Sequence, residues 1–512
     1  MNTFIFFNKR IVFILLMSAI WFSNAQTNSE KPNIVFILCD DLGYGDVQSL
    51  APETSKIKTP HIDKLTEQGM VFTDAHSGSS VCTPTRYGIM TGRYSWRSKL
   101  QSGVVSGFAP DLIKEDRPTV GNFLGNQGYN TAIIGKWHLN FQYIDSISKT
   151  TIRKKGRNLP PVGSTIPDGP IHRGFDYYHG FHHAGSMKAV IENDKVILHE
   201  DEINMLPRLT SKSVAYINDQ AKNKDGKPFF LYVPLGSPHT PILPSKEWQG
   251  KSGLGAYADF VMQTDATVGA ITKALKDNGF SENTLVIFSS DNGTSKAANI
   301  KGLEKKGHIV SAGFRGSKSD LWDGGHRVPF IVRWPGKVES GSVNHNLICL
   351  TDVFATFSDI INVAVPSNSG EDSVSFLPAL KGHKIKSTRT GVIHHSISGH
   401  FGYRQGKWKL LLARGSGGWS SPQEDDTTLD NMPIAQLYDM ENDAAETNNL
   451  YLERPEIAEK LLQLLENDIK NGRGTTGEFS QNDIDDIILW KKRTVNRSQK
   501  AKNKMKKKKS KK

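Results

Sequence analysis

The sequence predicts an α/β protein: a large, mostly parallel sheet flanked by helices, followed by a smaller α+β domain. Three observations predict it. Asn33 to Cys39 (NIVFILC) is a continuous apolar, β-rich run, the mark of a strand buried on both faces of a parallel sheet. Comparable runs then alternate with helical stretches, the rhythm of strand–helix–strand crossovers. Near residue 385 that rhythm gives way to short strand-and-turn units. The 512 residues, 37% hydrophobic and 23% charged, supply ample core material and exclude collagen, coiled coil, mucin and a multi-span membrane protein.

Each element has a local cause. After the first strand, Thr59-Pro60 supplies an N-cap and a first-turn proline, Ile62 and Leu65 give helical spacing, and Gly69 closes the helix. Thr119 to Gln127 reads as a helix before the strand Asn130 to Gly135. Ser211 to Lys224 is helical before Phe229 to Val233, and Leu254 to Asn278 before Thr284 to Ser289. Later, Gly391 to His395, Gly402 to Ala413 and Ala435 to Met440 read as short antiparallel strands. A helix from Pro455 to Asn471 follows, with apolar Ile457, Leu461, Leu462, Leu464 and Leu465. Residues 30–385 therefore form the main domain and 386–480 a C-terminal sheet-plus-helix domain.

The two ends read differently. Lys9 and Arg10, the apolar run Ile11 to Phe22 and Ser23-Asn24-Ala25 make residues 1–25 a signal peptide, too short for a comfortable membrane span. The competing reading, an interfacial anchor, does not account for the cleavage site. The protein is expected to be exported, periplasmic or secreted, with no transmembrane segment after cleavage. The net charge of +12 is local: Lys491 to Lys512 carries 11 Lys and 2 Arg and no acid. The body between leader and tail is slightly acidic, which argues against nucleic acid as a partner. Residues 491–512 cannot bury enough apolar surface to fold, and read either as a solvated extension or as a contact for an anionic polymer. Only Cys39, Cys82 and Cys349 are present, so an exported chain of this size does not rest on a disulfide framework.

Ligands of open parallel sheets bind beyond the carboxyl ends of the strands. The first strand ends in Asp40-Asp41 and the strand from Thr284 ends at Asp291-Asn292. Three carboxylates and an amide oxygen at one edge make a hard, all-oxygen site suited to Ca²⁺ or Mg²⁺ rather than zinc. A single strand-end aspartate is as readily a turn former, but two such pairs favour the metal. Lys136 and His138 follow the strand at Asn130, and His239 follows the strand at Phe229. Each alone is an ordinary polar residue; together at one edge they form a cationic, proton-transferring rim.

Ser80 to Tyr94 contains Cys82-Thr83-Pro84-Thr85-Arg86, a Cys-x-Pro-x-Arg pattern, followed by Thr91-Gly92-Arg93. It stands in order with Asp40-Asp41-Leu-Gly-Tyr-Gly, Gly135-Lys136-Trp-His138, Gly174-Phe175-Asp176, Ser237-Pro-His239, Ser290-Asp291-Asn292-Gly293 and Lys318…Gly324-Gly325-His-Arg327-Val-Pro329. Over roughly residues 30 to 480 the chain resembles the type I, formylglycine-dependent sulfatases of the alkaline phosphatase superfamily, especially exported bacterial polysaccharide sulfatases and arylsulfatases. The resemblance implies an alkaline phosphatase-like fold and a sulfuric ester hydrolase. Cys82 would be oxidised to Cα-formylglycine by a formylglycine-generating or anaerobic sulfatase-maturating enzyme. Asp40, Asp41, Asp291 and Asn292 match the ligands of one Ca²⁺, with the residue at position 82 completing the shell. Arg86, Lys136 and Lys318 match the cations around nucleophile and sulfate. The mechanism implied is attack on sulfur by a gem-diol hydroxyl with Asp291 as base, protonation of the leaving alcohol by His239, with Lys318 as a second candidate acid, and expulsion of sulfate assisted by His138.

Thr85, Ser317 and Asp323 depart modestly from the family pattern. His172, His182, His183 and Trp419 fall in stretches that vary across it and often line its pocket; the sequence assigns a role to none. The substrate expected is a sulfated carbohydrate, such as ulvan, carrageenan, fucoidan or a glycosaminoglycan oligosaccharide. The alternatives are a phosphatase, phosphodiesterase or phosphonate hydrolase of the same superfamily, against which Cys82 argues, and a non-catalytic sulfated-glycan binder.

Overall fold

The computed structural model describes residues 31–153, 159–223 and 225–491, together with Met1. The expected signal peptide after Met1 and all of the Lys-rich tail beyond Lys491 lie outside the described residues, as does Lys224 at the end of one expected helix. Among the described residues no helix is long and apolar enough to cross a membrane.

The main sheet has ten strands: β1 (Asn33–Asp40), β2 (Met70–Phe72), β4 (Asn130–Lys136), β5 (Tyr177–Phe181), β6 (Ala189–Glu192), β7 (Lys195–His199), β8 (Phe229–Pro238), β9 (Thr284–Ser290), β10 (Phe330–Arg333) and β11 (Ser342–Asn344). Their spatial order is β11-β2-β10-β9-β1-β8-β4-β5-β6-β7. The five central strands β9, β1, β8, β4 and β5 run parallel. The flanks bring in antiparallel pairs on both sides, so the sheet is mixed around a parallel centre. A two-stranded pair, β3 (Ala75–His76) with β12 (Ile348–Cys349), lies beside it.

Every residue of β1 is buried, and its alternation feeds two cores. Ile34, Phe36 and Leu38 pack on one face with the helices Cys82–Thr91 and Val353–Ile361. Val35, Ile37 and Cys39 pack on the other with Pro60–Gln68, Met205–Lys222 and Ala256–Asp277. Burial on both faces explains why the strand is apolar throughout rather than at every second residue.

One helix begins six residues earlier than its expected start at Ser211. Met205–Lys222 carries Pro207 in its first turn, where the missing N–H needs no partner, and buries Met205, Leu206, Leu209, Ser213 and Ile217. The proline hid this start from periodicity alone.

A separate antiparallel sheet holds β13 (Val392–His395), β14 (Phe401–Gln405), β15 (Trp408–Leu411) and β16 (Gln436–Asp439), in that order. The helix Pro455–Lys470 covers it, with Ala458, Leu461 and Leu465 buried. Its core also takes in Tyr94, Trp96 and Cys349, so the small sheet shares apolar surface with the segment after the Cys82 helix and with the two-stranded pair. At the seam of main and small sheets Lys409 bonds to both Asp323 and Glu446 at 2.7 Å, all three fully buried.

Candidate active site

The C-terminal ends of the central strands converge as expected for a parallel sheet. Asp40 is the last residue of β1, and Asp41 follows in a left-handed turn with φ of 67°. Its backbone N–H points at Asp291 Oδ1, 3.3 Å away, just beyond β9. The Asn292 side-chain N–H donates to Asp41 Oδ1 at 2.7 Å, leaving the amide oxygen directed elsewhere.

Cys82 is the first residue of the helix Cys82–Thr91, every residue of which is buried. Gly92, with φ of 64°, closes that helix by donating to Gly88 O. Arg86 lies one turn after Cys82 on the same side. Its Nε and Nη2 donate to Asp291 Oδ2 at 3.0 and 2.8 Å, and Nη1 donates to Lys136 O at 3.0 Å. Lys136 pairs with Asp40, and Lys318 with Asp41. Lys318 Nζ is also 3.5 Å from Cys82 Sγ, across 236 residues of sequence. His239 Nε2 stands 3.7 Å from Asp41 Oδ2 and keeps 17% side-chain exposure, which puts it at the site's opening. Donor atoms of Asp40, Asp41, Cys82 and His239 all lie within 4.8 Å of one another.

His138 is built differently. Its φ of 59° turns the chain after β4, and its ring stacks on His183. Nε2 lies 3.0 Å from Val105 O, an acceptor only, so Nε2 carries the proton. Nδ1 is then a bare lone pair, buried without a partner. Burial, reinforced by the Lys136 ammonium, holds the imidazole pKa well below its usual value. A neutral ring with a free lone pair can accept a proton.

The electrostatics separate the groups further. Burial pushes the Cys82 thiol up to about 12 despite Lys136 and Lys318, so an unmodified thiol is a poor nucleophile at neutral pH. Burial and then the Asp40 carboxylate push Asp291 up to about 7. Burial also works against the Asp40 charge, but Lys136, His239, Arg86 and Lys318 outweigh it and hold Asp40 far below the carboxylate range.

A cation site can be tested on the oxygens left over. Asp40 Oδ1, Asp41 Oδ2 and Asn292 Oδ1 are buried and have no hydrogen-bond partner. Three orphaned oxygens from the ends of β1 and β9, with no nitrogen or sulfur among them, fit a hard divalent cation. Asp291 fits less directly, since Arg86 engages Oδ2 and the Asp41 amide faces Oδ1.

Sequence reasoning passed over the residues that hold these loops. Asp46 accepts from Gly43 N, Thr294 Oγ1 and His308 Nε2 at 2.7–2.8 Å, tying the turn after β1 to the loop after β9. Asp320 accepts from the Ser317 and Trp419 amides at 2.9 Å, fixing the loop that carries Lys318. The signal for both was proximity to a motif, since each sits within five residues of one. His172 belongs to a short 3-10 turn apart from the ion cluster, at Pro170–Arg173.

Comparison with known proteins agrees with this geometry. The family profile described as Sulfatase matches residues 32–363, and one described as N-sulphoglucosamine sulphohydrolase, C-terminal, matches residues 317–420. The chain is 30% identical to the N-acetylgalactosamine-6-O-sulfatase of Bacteroides thetaiotaomicron, across 86% of this chain and 93% of that protein. It is 31% identical to bovine (Bos taurus) arylsulfatase A, across 85% of this chain and 86% of that protein. A solved protein of glycosaminoglycan metabolism in Bacteroides thetaiotaomicron superposes with a TM-score of 0.73 at 27% identity, covering 86% of this chain and 99% of that one.

Proposed function

The chain belongs to the sulfatase family, and from that premise we propose that it hydrolyses sulfate esters of a carbohydrate, using one calcium ion and a formylglycine made from Cys82. The observation that carries the reading is the pairing of opposites around Cys82. Three cations, Arg86, Lys136 and Lys318, stand beside three orphaned acceptor oxygens. A sulfate ester is guarded by negative oxygens, so a site must neutralise charge before attack at sulfur. The cations supply that, and the orphaned oxygens supply a seat for a divalent ion.

Asp40, Asp41, Asp291 and Asn292 would hold the calcium, which when bound supplies Lewis acidity and charge neutralisation. A formylglycine at position 82 would supply a hydrated aldehyde as nucleophile, consistent with a thiol that burial keeps protonated. The chain's own residues do the rest. Arg86 braces Asp291 and the carboxyl end of β4. Lys318 reaches both Asp41 and position 82, so it can steady the sulfate beside the nucleophile. His239, at the opening, is placed to protonate the departing alcohol, and His138 Nδ1 is free to take a proton on the far side of the cycle. The carbohydrate part of the reading leans on the relatives' names, a galactosamine 6-O-sulfatase above all. Export and the maturation enzyme belong to the same proposal, since formylglycine formation accompanies secretion in the family this chain resembles.

Peptide mass mapping of active protein tests it. The peptide holding residue 82 is expected to have lost its sulfur, and the protein to release sulfate from at least one sulfated oligosaccharide. A free thiol at Cys82 in fully active enzyme would overturn the formylglycine. Chelated protein restored by zinc and not by calcium would favour a phosphatase-type centre instead.

A further inference from the structure

The loop that carries Lys318 is rimmed by C-terminal segments that the chemistry at Cys82 does not require. The Trp419 amide donates to Ser319 Oγ and Asp320 Oδ1 at 2.9 Å, and the Ser420 amide to Asp320 Oδ1 at 3.0 Å. The Ile397 amide donates to Ser319 O at 3.2 Å, and the Gly103 amide to Ile397 O at 2.7 Å. Segments 396–400 and 417–420 are therefore anchored one or two residues from Lys318. Behind this rim opens a cleft of roughly 690 Å³, lined by His400, Arg414, Trp419, Trp490 and Lys491 among others. That size is in the range of small-molecule sites.

The lining has a chemistry of its own. Trp96, Trp137 and Trp322 are buried, whereas Trp419 and Trp490, which line this cleft, are 36% and 38% exposed. An exposed indole leaves apolar area in water that a ligand's ring could cover. Lys296, just beyond the Asp291 loop, holds its ammonium 5.1 Å from the Trp419 ring. Arg414 and Lys491 add two more cations. Of the two acids present, Glu424 is turned to the Arg414 and Gly415 amides at 3.1 and 2.6 Å, and Asp425 lies beside it. The cleft thus offers an aromatic face and cations, continuous with the rim beside Lys318.

We infer that this cleft is a subsite for the sugar next to the sulfated one in an anionic oligosaccharide, with the Trp419 indole as platform for its ring and Arg414 and Lys491 as partners for its carboxylate or second sulfate. The inference rests on the sulfate-ester reading of the Cys82 site. It makes the preferred substrate an oligosaccharide with a further charge, rather than a monosaccharide or an aryl sulfate.

The test compares 4-nitrophenyl sulfate with tetrasaccharides of chondroitin 6-sulfate, heparin and ι-carrageenan, using the tetrasaccharide the wild type cleaves best. Trp419→Ala is expected to raise KM on that tetrasaccharide about tenfold, the scale of one well-packed contact. Its kcat/KM on 4-nitrophenyl sulfate should stay within about twofold of wild type, and Trp419→Phe should recover most of the lost affinity. Lys491→Met should flatten the rise of tetrasaccharide KM with salt. Equal changes on both substrates, no change on either, or a wild type that prefers 4-nitrophenyl sulfate to every tetrasaccharide would overturn the subsite. Sulfate released from none of the probes by the wild type would overturn the sulfate-ester reading, and the subsite with it.

Discussion

Two largely buried ion clusters in this protein contain the same formal charges and do opposite things with them. The first, at the sheet edge, sets Asp40, Asp41 and Asp291 against Arg86, Lys136 and Lys318. The second, at the seam of the two sheets, sets Asp74, Asp323 and Glu446 against Arg327, Arg404 and Lys409. At the seam every carboxylate oxygen has a donor: His76 and Arg404 on Asp74, Lys409 and Arg327 on Asp323, Lys409 and the Asp323 amide on Glu446. At the sheet edge Asp40 Oδ1, Asp41 Oδ2 and Asn292 Oδ1 have none. Composition does not separate the two clusters. Unspent acceptors do, because a buried oxygen without a donor is costly unless something outside the chain completes it.

The largest expected effect is at Cys82. Cys82→Ser, produced in a host that modifies only cysteine, should lower turnover by about 10⁴-fold or more with an unchanged melting temperature. Wild-type-like turnover by that variant would mean another nucleophile. Next comes the seam. Lys409→Met leaves Asp323 and Glu446 buried without their shared cation, and should cost about 3–5 kcal/mol of stability in urea unfolding. Its kcat/KM at low temperature, per folded molecule, should stay near wild type. A variant as stable as wild type would collapse the contrast between the clusters.

His138→Gln removes the free Nδ1 lone pair while keeping a donor for Val105 O. It should lower kcat about a hundredfold and leave stability nearly unchanged. An unaltered kcat would take His138 out of the proton path. The smallest effect sharpens the cation reading. Calcium at about ten times its Kd should stabilise the wild type by about 1.4 kcal/mol over chelated protein. Asn292→Ala should narrow that difference, over and above the loss the chelated form takes from the missing bond to Asp41. Thermal unfolding with and without calcium decides it; a variant that keeps the full calcium shift would exclude the Asn292 oxygen.

Much of the main sheet was legible in local pattern. The NIVFILC run, the first-turn Pro60 and the strand-end Asp pairs depend on neighbours within a few residues, which is why local pattern reveals them; the expected Thr59 cap does not form, because Asp265 on a distant helix accepts from the His61 and Ile62 amides instead. The antiparallel flanks were not legible, because short strands such as Phe330–Arg333 owe their place to a partner far along the chain. The start of the helix at Met205 was hidden by a proline that only a first turn tolerates.

By itself, then, the sequence determined the α/β class, the order of the motifs and the residue types presented at the strand ends. Tertiary structure decided what those residues do to one another. It brought Lys318 to Cys82 across 236 residues, placed Val105 O where it sets the tautomer of His138, and left three oxygens at the ends of β1 and β9 without donors. It also hung the rim with Trp419 on Asp320. The physical reason is range: propensity and capping act over one turn or strand, whereas desolvation and charge pairing are set by whichever distant elements the fold packs together.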